Sequence, residues 1–549
     1  MGLSENGAPL DLEDDDIGDD IGEDIGSASG GASGGASSEL GREVVGMARG
    51  GLLNLVGAAF SQMALFGLTI LLARRLGKDQ AGVYFEAFAF LSILGLLSLS
   101  GFRAGLTRFV AVHLADRDRK AMRGTVQLGL GITIPAAVAL GAGLFLAAPY
   151  LATHLFHDQD TLKPLRYVGV ILPAATFTDA ALSATQGFRT MKPYALVGLF
   201  LEPALRIGLT FALIEGVGRG SSRGVEGAMQ ALVISNWVAA IASAIWLRKL
   251  MGKGVGRAVR KAKELFKFST VSWMASLAST GLIWADTILL GHYKKAEEVG
   301  VYNSATRLVT LATFVMTPIT ATFAPRIASL YRRGRTKALG EAYGIATSWI
   351  VRLSLPAFVV LLIFSKEALV TAFGPKFAVG ADVTMILAIG QMVNSATGPC
   401  GVMLNMSGRP ALSMIDNIGV LILNIGLNLW LIPRYGIRGS AAAWAFSLAL
   451  VNIIRLVQVR RTMKVYPFDW GTAKGLGAAL IAGGAGVGMQ AAFDGTAALL
   501  AGSATILVVY VLFVRVAGLT ESDRLVLQGL LRRGRGGKGR GPEPAFEGI

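Results

Sequence analysis

The residues of this chain that can do chemistry are charged and amide side chains set inside long apolar stretches. Glu202 and Arg206 stand four apart with the acid first, so one helix face can pair them. Pro203 between them loosens a helix and frees a carbonyl. Asp286 and Arg307 sit near the same end of two neighbouring apolar stretches. They are either an ion pair that fixes a hairpin or a gate or ion-coupling pair. Asp179 and Arg352 are further charges of this kind, with Arg352 either facing an interior or snorkelling to headgroups. Asn424 and Asn428, also four apart, can hydrogen-bond a ligand or a neighbouring helix. Arg108 and Arg326 each lie just beyond a long apolar stretch, as anion ligands or as plain surface anchors. Arginine suits anion binding because its planar fork is permanently charged. Near a bilayer centre it costs about 3 kcal/mol, so it needs a partner or a wet cavity.

Other chemistries lack their residues. Cys400 is the one cysteine and there are four histidines, which leaves neither a disulfide nor a dense metal site. No phosphate-cradling Walker loop, HExxH or nucleophile elbow occurs. The longest basic loop, about 248–266, has no Asp-x-Asp. The reading is a non-enzyme without cofactor or metal.

The elements that must position these side chains are membrane helices. Hydrophobic residues make up 53% of 549 and charged residues 16%, against about 25% charged in a soluble chain. Mean hydropathy is +0.54. The expected fold is all-α and integral to a membrane. About fourteen apolar stretches reach the roughly 20 residues of a crossing. The first six lie near 51–72, 80–102, 124–148, 166–186, 193–215 and 225–247. Eight more lie near 267–290, 299–323, 342–365, 378–400, 412–432, 437–458, 473–493 and 496–517.

Charge sets the expected orientation. Even-numbered connections hold about 25 Lys and Arg and odd-numbered ones about 13, which places both termini in the cytoplasm. Net charge is +16, although residues 1–50 carry about twelve acids and two bases. The bases fall between apolar runs rather than on one soluble face, which is no nucleic-acid signature. DLEDDDIGDDIGED at 11–24 is no signal peptide, and SASGGASGGASS at 27–38 is a linker composition. The acidic start reads as a disordered cytoplasmic tail, or alternatively as a regulator that docks on the basic loops.

The chain also repeats. LLARRLGKDQAGVY (71–84) matches LLGHYKKAEEVGVY (289–302) at an offset of 218, which superposes Arg108 on Arg326 and Arg206 on Asn424. GVEGAMQALVIS (224–235) matches GIRGSAAAWAFS (436–447) at an offset of 212. Two parallel six-helix lobes plus two extra helices follow, the plan of a transporter around a central site.

ADTILLGHYKKAEEVGVYNSATRLV (285–309) and the segment from ILLARRLGKDQAGVY to GLTRFVA (70–111) resemble oligosaccharide-lipid flippases. These belong to the polysaccharide transporter family of the multidrug/oligosaccharidyl-lipid/polysaccharide exporter superfamily. The resemblance runs from about 45 to 517. It implies twelve core helices around a V-shaped cavity, alternating access, and a polyprenyl-diphosphate-linked oligosaccharide as substrate for cell-surface polysaccharide synthesis. A lipid II flippase or a multidrug exporter of the same superfamily are the alternatives, and a membrane-embedded glycosyltransferase or polymerase is further off. Under the resemblance Arg108, Arg206, Arg326, Arg352, Asn424 and Asn428 are candidates for the diphosphate and glycan. Asp179, Glu202, Asp286 and Arg307 are candidates for gating or ion coupling. The expected divisions are a tail at 1–45, an N-lobe at 46–250, a C-lobe at 251–460, two further helices at 461–518 and a basic tail at 519–549. About 473–517 is the implied groove for the lipid tail, while GLGAALIAGGAGVG (475–488) also suits tight helix packing. Expected partners are the lipid-linked glycan, membrane lipids, and the polymerase and glycosyltransferases of the same pathway. The expected location is the plasma membrane.

Overall fold

The computed structural model describes residues 34–214, 224–252, 262–468 and 470–516. Most of the acidic start, the basic end and part of the 248–266 loop lie outside the described residues. The first helix, α1 (Gly34–Leu99), reaches back into the segment expected as linker. Leu40, Arg42, Glu43 and Met47 are good helix formers that extend an established helix.

The helices follow the apolar stretches. After α1 come α2 (Phe102–Ala115), α3 (Arg119–Tyr150), α4 (Leu162–Gly187), α5 (Glu202–Ile214) and α6 (Gly224–Met251). A turn of π-helix, Tyr194–Leu201, leads into α5. Next are α7 (Ala262–Tyr293), α8 (Ala296–Ala312), α9 (Met316–Arg332), α10 (Thr336–Ile363), α11 (Ser365–Phe373) and α12 (Ala381–Ala396). The chain ends with α13 (Cys400–Met406), α14 (Pro410–Met463), α15 (Trp470–Ala492) and α16 (Gly495–Val516). Helices α2 to α6 pack among themselves, and α7 to α14 form a second group. Helices α15 and α16 pack on each other and on α10.

Among the described residues, eleven helices are long and apolar enough to cross a membrane, or twelve if α8 and α9 form one span bent by 50°. Two of the eleven, Leu53–Leu99 and Pro410–Met463, are 47 and 54 residues long. Each is about twice the length of a crossing. Both break at a glycine, Gly77 (φ 75°, ψ −179°) and Gly436 (φ 57°, ψ −137°), in backbone regions close to glycine-only. The chain doubles back at both. Gly67 abuts Ile207 while Phe88 lies under Arg206, one residue away. Gly439 abuts the Leu431 carbonyl, which in a straight helix would be about 12 Å distant. Each of these two long helices thus covers two of the expected apolar stretches, 51–72 with 80–102 and 412–432 with 437–458. Gly224, the repeat mate of Gly436, shares its positive φ of 54°.

The helix expected over 80–102 breaks at Ser100 (φ 45°) and Gly101 (φ 74°) and continues as α2. The helix expected over 299–323 bends between α8 and α9. Arg108 and Arg326 therefore stand on helices rather than in loops. The small-residue stretch 475–488 packs, with Ala478, Ala479 and Ala482 buried against Val351, Leu355 and Ile506.

Gly436→Ala is expected to lower the thermal midpoint of the purified protein, since a side chain in that backbone region costs about 1–3 kcal/mol. Gly426→Ala is the contrast. It sits inside α14 with open space at its Cβ position, and is expected to leave the midpoint unchanged or raise it. Equal shifts in both variants would contradict the hairpin.

Candidate functional site

At the end of the molecule that holds Gly77, the two groups of helices are sealed together. Gly82 lies against the Ala296 carbonyl, and Gly300 lies against the Lys78 carbonyl. These contacts are reciprocal under the 218-residue repeat, which relates 82 to 300 and 78 to 296. A Cβ at either glycine would collide with backbone, so only glycine lets these helix ends approach. Around the crossing, Lys78 Nζ pairs with Glu297 at 2.9 Å, and His292 Nδ1 bonds the Leu155 carbonyl at 2.8 Å. Arg74 Nε donates to the Ala372 carbonyl at 2.9 Å, and its terminal nitrogen donates to Thr371. Phe156 closes over Gly291 beside Glu86, a carboxylate only 1% exposed.

One turn further along α1 the groups meet around charge. Arg206 Nε lies 3.5 Å from Glu202, with side chains 11% and 17% exposed, so the expected i,i+4 pair forms. The Arg206 guanidinium also lies over Phe88 at 5.4 Å, and Arg307 lies over Trp284 at 5.6 Å. The Phe88 and Trp284 rings meet edge to face at 5.4 Å, and Tyr84 stacks on Phe88. Tyr84 and the two arginines lie within each other's fields. The cluster thus holds two guanidiniums and one carboxylate, one arginine from each group of helices. Arg307 and the Phe66–Leu65 face of α1 border a narrow cleft between α1 and α8.

On the other side a cavity of about 750 Å³ opens between α1, α2, α4 and α7. Arg103, Arg108, Asp179, Gln186, Ser272 and Ser276 are among its lining residues. Arg108 lies over Phe268 at 4.6 Å, and Asp179 feels the charge of Arg103. Ser92, on the same wall, is one turn from Phe88, so the cavity ends next to the arginine cluster.

Several expectations need correction. Asp286 does not pair with Arg307. Its carboxylate accepts from Tyr302 Oη at 2.8 Å and Asn428 Nδ2 at 2.7 Å, because α7, α8 and α14 close around it. Among the described residues Arg307 makes no ion pair and rests on an aromatic face instead. Asn424 and Asn428, both 0% exposed, line no cavity described here. They bond each other and Asp286, which is the neighbouring-helix alternative. Arg352 turns to α15, where Nε donates to the Gly471 carbonyl at 3.1 Å. Arg326 is exposed on α9 and does not line the Arg108 cavity. Arg103, Tyr84, Phe88 and Trp284 belong to the site without having been expected there. Tyr84 ends the repeated GVY motif, the one sequence signal that pointed at it.

Residues 47–331, more than half of the chain, match the polysaccharide biosynthesis protein family. The chain belongs to that family. Residues 272–430 also match the MatE family. Among curated proteins, the chain is similar to the probable low-salt glycan biosynthesis flippase Agl15 of Haloferax volcanii. That likeness is 23% identity over 73% of this chain and 80% of the relative. It is 20% identical to a putative O-antigen transporter of Shigella flexneri, over 75% of this chain and 97% of the relative. Among solved structures, the lipid II flippase MurJ in an inward closed conformation superposes with a TM-score of 0.68. Identity there is 15%, and 88% of this chain and 99% of MurJ are covered. An inward-facing multidrug resistance MATE family transporter of the MOP superfamily gives 0.62 at 17% identity, covering 75% and 98%. This polysaccharide biosynthesis family member shares the fold of both.

Asp286→Ala is expected to destabilise the protein by about 1–3 kcal/mol for each buried donor it strands, at Tyr302 and Asn428. Asp286→Asn retains an acceptor and is expected to lose less. Thermal unfolding of the two purified variants against wild type measures the difference.

Proposed function

We propose that the chain is a flippase that moves a polyprenyl-diphosphate-linked oligosaccharide across the cytoplasmic membrane by alternating access, for cell-surface polysaccharide synthesis. The observation that carries this reading is the central pair Arg206 and Arg307, drawn from two groups of helices and balanced by one carboxylate, Glu202. The relatives named as a glycan biosynthesis flippase and an O-antigen transporter support the substrate class. A net positive site suits a diphosphate and disfavours the cationic substrates of a drug exporter.

In this reading residues 46–250 and 251–460 act as two lobes, with 461–518 added outside them. The surplus of Lys and Arg in even-numbered connections puts both termini, and the Arg108 cavity, on the cytoplasmic side of the plasma membrane. The sealed Gly82–Gly300 end is then the outer gate, and the described state faces inward. The polyprenyl chain leaves through the cleft between α1 and α8 beside Arg307, where Leu65, Phe66, Leu311 and Phe314 give it an apolar wall. The diphosphate sits between the arginines, each fork able to hold phosphate oxygens bidentately. Opening the outer seam and closing the lobes over the cavity delivers the head to the far side. The buried Asp286, Tyr302 and Asn428 group lies wholly in the second lobe and is the candidate for ion coupling. Membrane potential is a second source of drive, at about 2.3 kcal/mol per charge per 100 mV. The polymerase and glycosyltransferases of the pathway are the proposed neighbours.

The test is reconstitution in liposomes with a fluorescent short-chain polyprenyl-diphosphate oligosaccharide, following its exposure to a membrane-impermeant quencher. Arg206→Ala and Arg307→Ala are each expected to slow transfer about tenfold to hundredfold, the equivalent of about 1.5–3 kcal/mol for a charged hydrogen bond. Arg352→Ala is expected to transfer normally while melting earlier. Wild-type rates in both central variants would remove the diphosphate site.

A further inference from the structure

The inward cavity contains a second cationic station, separate from the central one. Arg103 and Arg108 line it with a single acid, Asp179. Asp179 lies in the field of Arg103. Arg108 makes no ion pair among the described residues; its exposed guanidinium lies over the Phe268 ring at 4.6 Å, with Phe109 at 5.9 Å. The composition matches the central cluster, with two arginines against one carboxylate at each.

The two stations are far apart. Phe88, under Arg206, precedes the break at Ser100 by twelve residues of α1, a rise of about 18 Å, and Arg103 and Arg108 lie beyond that break. One diphosphate cannot occupy both at once. The direction of the substrate is also constrained. In the flippase reading the lipid tail leaves by the narrow cleft between α1 and α8 beside Arg307, and the head group points away from it. The space it points into is the 750 Å³ cavity, whose wall between the stations carries Ser92, Thr176, Ser272, Ser276, Ser279 and Thr280. Hydroxyls there can donate to and accept from sugar hydroxyls, and the arginines stand at the far end of that wall.

We propose that Arg108, supported by Arg103, binds a carboxylate on the glycan, so that the chain selects a lipid-linked oligosaccharide containing an acidic sugar of the uronate class over a neutral one. This rests on the flippase reading of the same site and adds the charge of the glycan to it. The Arg108 side chain is exposed to the cavity and open to a ligand, and its planar fork matches a carboxylate in two parallel hydrogen bonds. A neutral sugar in that position forgoes this charge-assisted pair.

Two polyprenyl-diphosphate oligosaccharides of equal length, one with a terminal uronate and one with the matching neutral hexose, test this in the liposome assay at sub-saturating concentration. Wild type is expected to transfer the acidic one about tenfold faster, the scale of one charge-assisted hydrogen bond. Arg108→Ala is expected to abolish that preference by slowing the acidic substrate alone, and Arg108→Lys to restore part of it. Equal rates for the two substrates in wild type would overturn the inference while leaving the flippase intact. Arg108→Ala slowing both substrates equally would overturn it as well, by making Arg108 an entry station for the diphosphate. A parallel measurement needs no transport: thermal stabilisation of the purified protein by free oligouronate against neutral oligosaccharide. Stabilisation by the oligouronate, lost in Arg108→Ala, supports the site even where neither lipid is moved, and that last result counts against the flippase reading alone. No stabilisation in wild type counts against the acidic-sugar site.

Discussion

The structure depends on two helix ends that touch backbone to backbone. Gly82 against the carbonyl of 296 and Gly300 against the carbonyl of 78 are one contact made twice, by the two copies of one repeat. With no side chains between them at these two points, the helices approach as closely as backbones allow, which closes that end of the molecule without a thick plug. The contact also sits inside an apolar seam, where Ala81, Tyr84 and Phe85 share one buried cluster with Leu290, Val299 and Val301, and bonds such as Lys78 to Glu297 and Arg74 to the end of α11 lie around it. Surface ion pairs of this type contribute little each. In the proposed cycle the backbone contact sets how closely this gate shuts, and the apolar cluster around it is what opening must part.

The second constraint is the cost of charge away from water. The chain meets it in three ways. Glu202 and Arg206 neutralise each other along one helix. Asp286 is enclosed by hydroxyl and amide donors. Arg307 is set on the face of Trp284, which attracts a cation without cancelling its charge. The third solution differs from the other two because it leaves the positive charge available. An ion pair between Asp286 and Arg307 would have been stable and would have left the centre of the molecule neutral. Keeping them apart divides the second lobe into a closed polar node and an open cation, which the proposed cycle uses for different purposes.

How much of this was legible in the sequence follows from the range of each interaction. The helices were readable because hydropathy is a local property, and the Glu202–Arg206 pair because it spans one turn. The repeat was readable too, including the GVY motif, but the sequence showed only that 82 and 300 correspond. That they meet through each other's neighbours, 296 and 78, depends on how the two copies are placed about their axis. Phe88 was invisible as the partner of Arg206 for the same reason, and Trp284 and Arg307 meet only through the way α7 packs beside α8. Asn424 and Asn428 were read as four apart on one face, correctly, while the occupant of that face, Asp286, came from another helix. Along with the bend between α8 and α9, the break at Ser100 was a local feature that was missed. It turned a supposed loop with Arg108 into α2, because a Ser–Gly pair inside an apolar run gives no stronger signal than the many other glycines of this chain.

That break explains how the two ends of the molecule can act separately. α1 runs from the seam at Gly82 past Phe88 to Ser100, and α2 then carries Arg103 and Arg108 along the cavity against α7. Its repeat counterpart, α8 followed by α9, bends by 50° at a similar place. In both copies the part that forms the seam is one helix, carrying Tyr84 and Phe88 in the first copy and Arg307 in the second, and the part beyond the break is another. A continuous helix would transmit any displacement of the mouth to the seam. With a joint between the two parts, α2 can follow α7 in the proposed cycle as the cavity fills while the seam stays shut, and the seam need part only once the central arginines, Arg206 on α5 and Arg307 on α8, are occupied. In the proposed cycle, opening of the outer gate is thereby tied to the central site and not to the mouth, which keeps the two ends from being open together.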